Sequence, residues 1–138
     1  MPRSVLVSGG CGFIGSHLVD RLLRRDDLET LVVVDNLWTG LQDNIAHVSD
    51  PRFSLRIADA ESFTASQHFD EIIHLASPAS PVWYMREPAR TIRANIGGAL
   101  NLLSLLKPGG HLLIGHSESL NDISTAVEQL APSIYCKP

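Results

Sequence analysis

Residues 8–16 read Ser-Gly-Gly-Cys-Gly-Phe-Ile-Gly-Ser, and they sit between two segments of opposite periodicity. Ser4 to Ser8 is a continuous apolar run, the pattern of a strand buried on both faces. Phe13 to Arg25 repeats apolar residues at helical spacing, with Ile14, Leu18 and Leu22 in one stripe and Val19 and Leu23 beside it. A strand that passes into a helix through Gly9, Gly12 and Gly15 constrains the fold more than any other feature of the chain. Each glycine has its own reason. Gly9 permits the tight turn out of the strand, Gly12 lets the backbone approach a pyrophosphate, and Gly15 allows the helix to pack closely on the sheet. The helix N-terminus then offers N–H groups and a positive dipole end to an anion. The strand–loop–helix context turns a common glycine spacing into a candidate dinucleotide site.

Asp35 ends the second apolar run, 20 residues beyond Gly15. A carboxylate there accepts hydrogen bonds from ribose hydroxyls and repels a 2′-phosphate, which favours NAD over NADP. The same loop places Cys11 near a helix N-terminus, a position that predicts an alkylatable thiol.

The rest of the chain alternates short apolar runs with amphipathic stretches, as in βαβ units. Strands are predicted over Thr30–Val34, Phe53–Ile57, Glu71–Ala76 and His111–Gly115, with a closing strand over Ser133–Cys136. Short helices are predicted over Gly40–Val48, Ala60–Gln67 and Ser124–Leu130. A loop is predicted over Pro78–Pro88. The longest helix is predicted over Thr91–Leu106, with Ile92, Ile96, Leu100 and Leu103 facing the sheet. The expected fold is α/β: a Rossmann-like, doubly wound, mostly parallel sheet in three α/β/α layers. Its expected strand order is 3-2-1-4-5, with a C-terminal edge strand beside the fifth. One domain over 1–138 suits this length.

Composition narrows the function classes. A net charge of −4 argues against non-specific nucleic-acid binding. No apolar run approaches the roughly 20 residues of a membrane span. The N-terminus lacks a signal-peptide layout, so a cytoplasmic location is expected. Two cysteines, Cys11 and Cys136, make neither a disulfide framework nor a metal pattern. No metal is expected.

Residues 4 to about 106 resemble the extended short-chain dehydrogenase/reductases, and within them the nucleotide-sugar epimerases, dehydratases and UDP-glucuronate decarboxylases. The likeness rests on VLVSGGCGFIGSHL, VVVDNLWTG, IADA, IIHLASPASPVWYM and TIRANIGGALNLL. It implies that Gly9, Gly12, Phe13, Ile14 and Gly15 hold the pyrophosphate. Asp35, Asn36, Leu37, Thr39 and Gly40 would surround the adenosine ribose and its phosphate. Asp59 and Ala60 would contact adenine, and Leu75, Ala76 and Ser77 would line the middle of the cofactor. Asn95 matches a family asparagine for which a structural role and a contact are equally open. The family's catalytic Tyr-x-x-x-Lys is absent, since the late tyrosine stands in Tyr135-Cys136-Lys137.

Residues 107–138 resemble instead the C-terminus of chemotaxis-receptor methyltransferases, through KPGG, GHSESL and the final SIYCKP. Together the two resemblances imply a chimera joined near Leu106 to Pro108, engineered or naturally fused. The expected function is NAD binding without catalytic turnover, not an enzyme. The alternatives are a truncated nucleotide-sugar epimerase or decarboxylase, or a module that binds S-adenosylmethionine weakly. The expected partner is a small nucleotide cofactor, with no nucleic acid and no membrane.

Overall fold

The computed structural model describes residues 1–115, 128–131 and 134–138. Strands β1 (Arg3–Ser8), β2 (Leu28–Asp35), β3 (Phe53–Ile57), β4 (Phe69–His74) and β5 (Leu106–Ile114) are joined by β6 (Glu128–Ala131) and β7 (Ile134–Cys136). They form one sheet in the order β3-β2-β1-β4-β5-β7-β6. The first five pair in parallel, and β7 runs antiparallel to β5, with Leu112 opposite Tyr135. The expected order is therefore found, with one change: β7 is covered by β6, so β6 is the edge.

Each central strand is apolar on both faces because helices cover both. Val5, Val7, Leu31 and Val33 pack with Val19 and Leu22 of helix α1 (Phe13–Leu22). Leu6, Val32, Val34 and Ile72 pack with Ala99 and Leu102 of helix α4 (Gly98–Ser104). One-residue alternation along β1 and β2 thus feeds two separate cores.

Several expectations need correction. Helix α1 ends at Leu22, and Ile14 is exposed. The buried face is Gly15, Ser16, Val19 and Leu22, because contact of Gly15 with the loop rotates the helix away from the expected stripe. The 60–67 segment is not helical; the Asn101 amide donates to the carbonyls of Ala60 and Phe63 and satisfies them without a helix. The proline-rich segment is not merely a loop. Pro81 and Pro88 open helices α2 (Pro81–Arg86) and α3 (Pro88–Ile92), since proline suits a first helical turn. A π-turn, Arg93–Gly97, links α3 to α4. That turn and the seating of Gly98 on the His74 ring bury Gly98, Ala99, Leu102 and Leu103, leaving Ile92, Ile96 and Leu100 exposed. The 40–48 segment forms only a 3-10 turn, Gln42–Ile45. In the expected helix 124–130, residues 128–130 belong to β6, and 124–127 lie outside the described residues, as does the HSES segment.

At the end of the sheet away from the glycine loop, one carboxylate ties three strands together. Asp70 Oδ2 accepts the Ser4 N–H at 2.8 Å, the Ser4 hydroxyl at 2.7 Å and the Lys107 ammonium at 2.9 Å. Burial pushes the Asp70 carboxyl up, but the Ser4 and Lys107 donors outweigh it and hold the group at about 2. Its stabilising contribution is therefore full above the ordinary carboxylate value and is lost as pH falls towards 2. Asp70→Asn is expected to lower unfolding free energy at pH 7 by roughly 1.5–3 kcal/mol. Urea melts should show the gap between wild type and variant closing between about pH 4 and pH 2. A gap that stays constant with pH would contradict this assignment.

Candidate functional site

A cleft of about 270 Å³ opens where β1, β2 and β4 end, between the loops that leave them. The neighbours β1 and β4 mark the point where the parallel strand order reverses, the usual ligand position in an open α/β sheet.

The glycine loop forms one wall, and its glycines divide the work differently from expectation. Gly9 has φ of 78°, and a Cβ there would lie 2.7 Å from the Leu75 carbonyl carbon. A Cβ on Gly15 would collide with the Gly9 carbonyl oxygen, so Gly15 packs against the loop itself rather than the sheet. A Cβ on Gly12 would meet only the Gly9 oxygen, at 3.4 Å. Gly12 thus leaves open space in front of a helix whose N-terminus carries no side-chain cap. The first-turn N–H groups have no acceptor within the helix. This cradle fits a phosphate.

The carboxylate of Asp35 joins that wall to the next. Asp35 is 7% exposed; its Oδ2 accepts the Cys11 N–H at 2.9 Å and its Oδ1 accepts the Leu37 N–H at 2.8 Å. The second bond supports a left-handed turn at Leu37, φ 58°, unusual for a branched residue. Asn36 continues the network, accepting the Trp38 N–H at 2.9 Å and donating to Asp59 Oδ1 at 2.7 Å. Carboxylate oxygens accept more than one bond each, so Asp35 retains capacity for ribose hydroxyls.

Of the residues singled out in the sequence, Gly9, Gly12, Asp35, Asn36, Thr39, Gly40, Asp59, Ala60, Leu75, Ala76 and Ser77 line this cleft. Phe13, Ile14, Gly15 and Leu37 do not. Phe13 and Ile14 are exposed, and Leu37 packs its side chain on the α1-side core. Sequence reasoning missed Trp38, Glu61, Arg90 and Arg93, which also line it. Arg90 arrives from α3 and Arg93 from the π-turn that follows it, both distant in sequence, so only the fold reveals them. His74 was missed as well. Its Nδ1 lies 2.6 Å from the Ser8 hydroxyl, and its Nε2 lies 3.1 Å and 3.2 Å from the carbonyls of Ala94 and Asn95 in the π-turn. Those carbonyls make Nε2 the donor and Nδ1 the acceptor, so the ring ties the strand before the glycine loop to the helix that carries Arg93.

Asn95 lies outside this cleft, on a neighbouring cavity, and its side-chain oxygen is buried without a hydrogen-bond partner. Tyr135 is fully buried in the core, and the Lys137 ammonium donates to the Leu106 carbonyl at 2.8 Å. Both are structural. Among the described residues no His/Cys/Asp/Glu cluster could hold a metal, and no helix is long and apolar enough to cross a membrane.

Cys11 departs from expectation. It is fully buried, and burial together with the Asp35 charge pushes its thiol up to about 11. Iodoacetamide at pH 8 is expected to label the partly exposed Cys136 and spare Cys11 until the chain unfolds. The stabilisation from a neutral Cys11 thiol is present below about pH 9 and lost as pH rises through 11. Equal labelling of both cysteines in the folded protein would contradict this placement.

The model of the NAD dependent epimerase/dehydratase family matches residues 5–120. UDP-glucuronic acid decarboxylase 2 of Arabidopsis thaliana is 46% identical over 121 residues, 86% of this chain and 26% of that protein. A UDP-N-acetylglucosamine 4-epimerase from Methanobrevibacter ruminantium superposes with a TM-score of 0.62 at 32% identity, covering 75% of this chain and 34% of that one. A dTDP-glucose 4,6-dehydratase from Streptomyces venezuelae, solved with NAD bound, gives 0.63 at 28% identity, covering 74% and 35%. These findings overturn the expectation of a non-enzyme, since the relatives at this identity are enzymes. The family match also crosses the expected junction at 106–108, so it gives no support to a chimera, to engineering or to a methyltransferase-derived end.

Proposed function

Because the chain belongs to the NAD dependent epimerase/dehydratase family, with NAD as its cofactor, we propose that it holds NAD for a redox reaction on a nucleotide sugar, of the UDP-glucuronate decarboxylase type. The observation that carries this reading is the cleft at the strand-order reversal, bounded by the open Gly12 cradle and by the Asp35 carboxylate. The Gly9–Gly12 wall and the first turn of α1 would take the pyrophosphate. Asp35 would accept the ribose hydroxyls, and Asn36, Thr39 and Gly40 would enclose that sugar. Asp59 and Ala60 would border adenine, and Leu75, Ala76 and Ser77 would flank the middle of the cofactor. Gly15 and Leu37 would act by shaping the two loops rather than by touching the ligand. Phe13 and Ile14 would contribute backbone N–H groups, since their side chains point to solvent.

NAD supplies, when bound, a reversible hydride acceptor. The chain's own residues bind and orient it. The 138 residues contain no Tyr-x-x-x-Lys, and the chain spans about a quarter to a third of the length of the relatives named above. The part proposed for these residues is therefore cofactor holding and approach of the sugar. A reading in which S-adenosylmethionine takes the site is less well supported, because the open cradle suits a pyrophosphate better than a sulfonium amino acid.

Calorimetric titration with NAD, NADP and S-adenosylmethionine tests the proposal. NAD is expected to bind most tightly. Gly12→Val should abolish NAD binding and leave the circular dichroism spectrum unchanged, because the new side chain fills open space rather than the core. A folded Gly12→Val that binds NAD as wild type does would refute the phosphate assignment. Titrating UDP-glucuronate into the NAD-loaded protein should give a heat of binding; its absence would restrict the reading to the cofactor alone.

A further inference from the structure

The cradle at Gly12 is open because glycine stands there, and glycine also leaves the backbone free to turn. Gly12 has φ of −75° and ψ of 175°, a conformation that any residue adopts. Nothing intrinsic to glycine holds it there. Yet this residue aims the free N–H groups of the first turn of α1. Whatever fixes the peptide unit between Cys11 and Gly12 therefore decides how well the cradle is formed before a ligand arrives.

The N–H edge of that peptide, from Gly12, donates to the Gly9 carbonyl at 3.2 Å, a long bond. Its carbonyl edge, from Cys11, is held from outside the glycine loop. The Leu41 N–H donates to the Cys11 oxygen at 3.1 Å, and the Asn44 side-chain amide donates to the same oxygen at 2.8 Å. One donor would satisfy this oxygen; two occupy both of its lone pairs and fix the direction of the carbonyl. Neither Leu41 nor Asn44 lines the cleft, so the carbonyl dipole is turned away from the place where an anion would sit.

Asn44 is exposed, but it is not loosely placed. It lies in the 3-10 turn Gln42–Ile45, where its N–H bonds the Leu41 carbonyl at 3.0 Å and its neighbour Ile45 is buried in the α1-side core. Just beyond the turn, His47 Nε2 lies 2.8 Å from Asp20 Oδ1 of α1. Asp35 takes the Cys11 N–H and Asn44 the Cys11 carbonyl, so two side chains hold the two polar groups of one residue in the glycine loop.

We infer that Asn44 is a positioning residue for the phosphate cradle: it touches no ligand, and by holding the Cys11 carbonyl turned away it sets Gly12 and the first turn of α1 to receive a pyrophosphate. This rests on the reading of the cleft as the NAD site. The amide bonds only the peptide beside the cradle, so it acts on ligands that carry phosphates and not on the nucleoside. Preorganisation of this kind shows as affinity, because the loop is ordered before binding.

The test is titration of NAD, ADP and adenosine into wild type, Asn44→Ala and Asn44→Asp, with thermal melts of each and adenosine followed by ligand-observed NMR. Asn44→Ala should raise the dissociation constants of NAD and ADP by the same factor, roughly two- to tenfold, as for one lost hydrogen bond. Its affinity for adenosine should stay at the wild-type value. Asn44→Asp keeps the shape but sets a carboxylate against the Cys11 carbonyl, so its loss should be at least as large. Without ligand, the Gly12 amide should exchange with deuterium faster in Asn44→Ala, while the Val5 and Val7 amides of β1 are unmoved. Folded variants with wild-type affinity for ADP would overturn the positioning role and leave the cofactor reading intact. Adenosine weakened as much as ADP would overturn it equally, since Asn44 would then shape the cleft as a whole. Wild type that binds neither NAD nor ADP would overturn both.

Discussion

The Asp35 carboxylate is the point on which the site depends. It stands at the end of β2, nearly buried, and each oxygen accepts a backbone N–H from a different loop. One bond fixes the middle of the glycine loop at Cys11. The other holds Leu37 in a left-handed turn that opens the next loop towards Asn36 and Trp38. A buried N–H left without an acceptor costs about 1–3 kcal/mol, so neither loop has a comparable alternative. The same charge acts on Cys11, where with burial it keeps the thiol neutral. A residue expected to read a ribose thus has an earlier task, which is to bring together two walls of the cleft.

Close backbone packing completes the arrangement. Gly15 lets the helix press against the Gly9 carbonyl, and that contact sets the rotation of α1, hence which residues enter the core. On the other face, Gly98 seats the His74 ring, which bonds Ser8 on one side and the π-turn on the other. The π-turn presents carbonyls to that ring and places Arg93 and Ala94 on the cleft. The β1 and β4 strand ends are therefore linked to helices on both faces through contacts that only small residues permit.

The glycine spacing, the apolar strands and Asp35 are enough to read the sheet order and most of the cleft from the sequence. Long-range contacts are not legible there. The apolar stripe Ile92, Ile96 and Leu100 has correct helical spacing yet faces outward, because the His74–Gly98 contact decides which side of α4 is buried. Ala60–Gln67 has helical propensity, but Asn101 satisfies its carbonyls from across the core. Pro81 and Pro88 read as loop punctuation although each begins a helix. Cys11 reads as reactive from its place near a helix N-terminus, and burial with a neighbouring carboxylate reverses that.

Asp35→Asn, with two readouts on the same sample, tests whether one carboxylate assembles both loops of the cleft proposed to hold NAD. Asparagine offers one acceptor oxygen where two N–H groups require acceptors, and its amide opposes the other. NAD affinity should fall by about tenfold or more, and Cys11 should become alkylated at a rate approaching that of Cys136. A loss of NAD affinity with Cys11 still protected would contradict this role, since the carboxylate would then serve the ligand alone and not the loops.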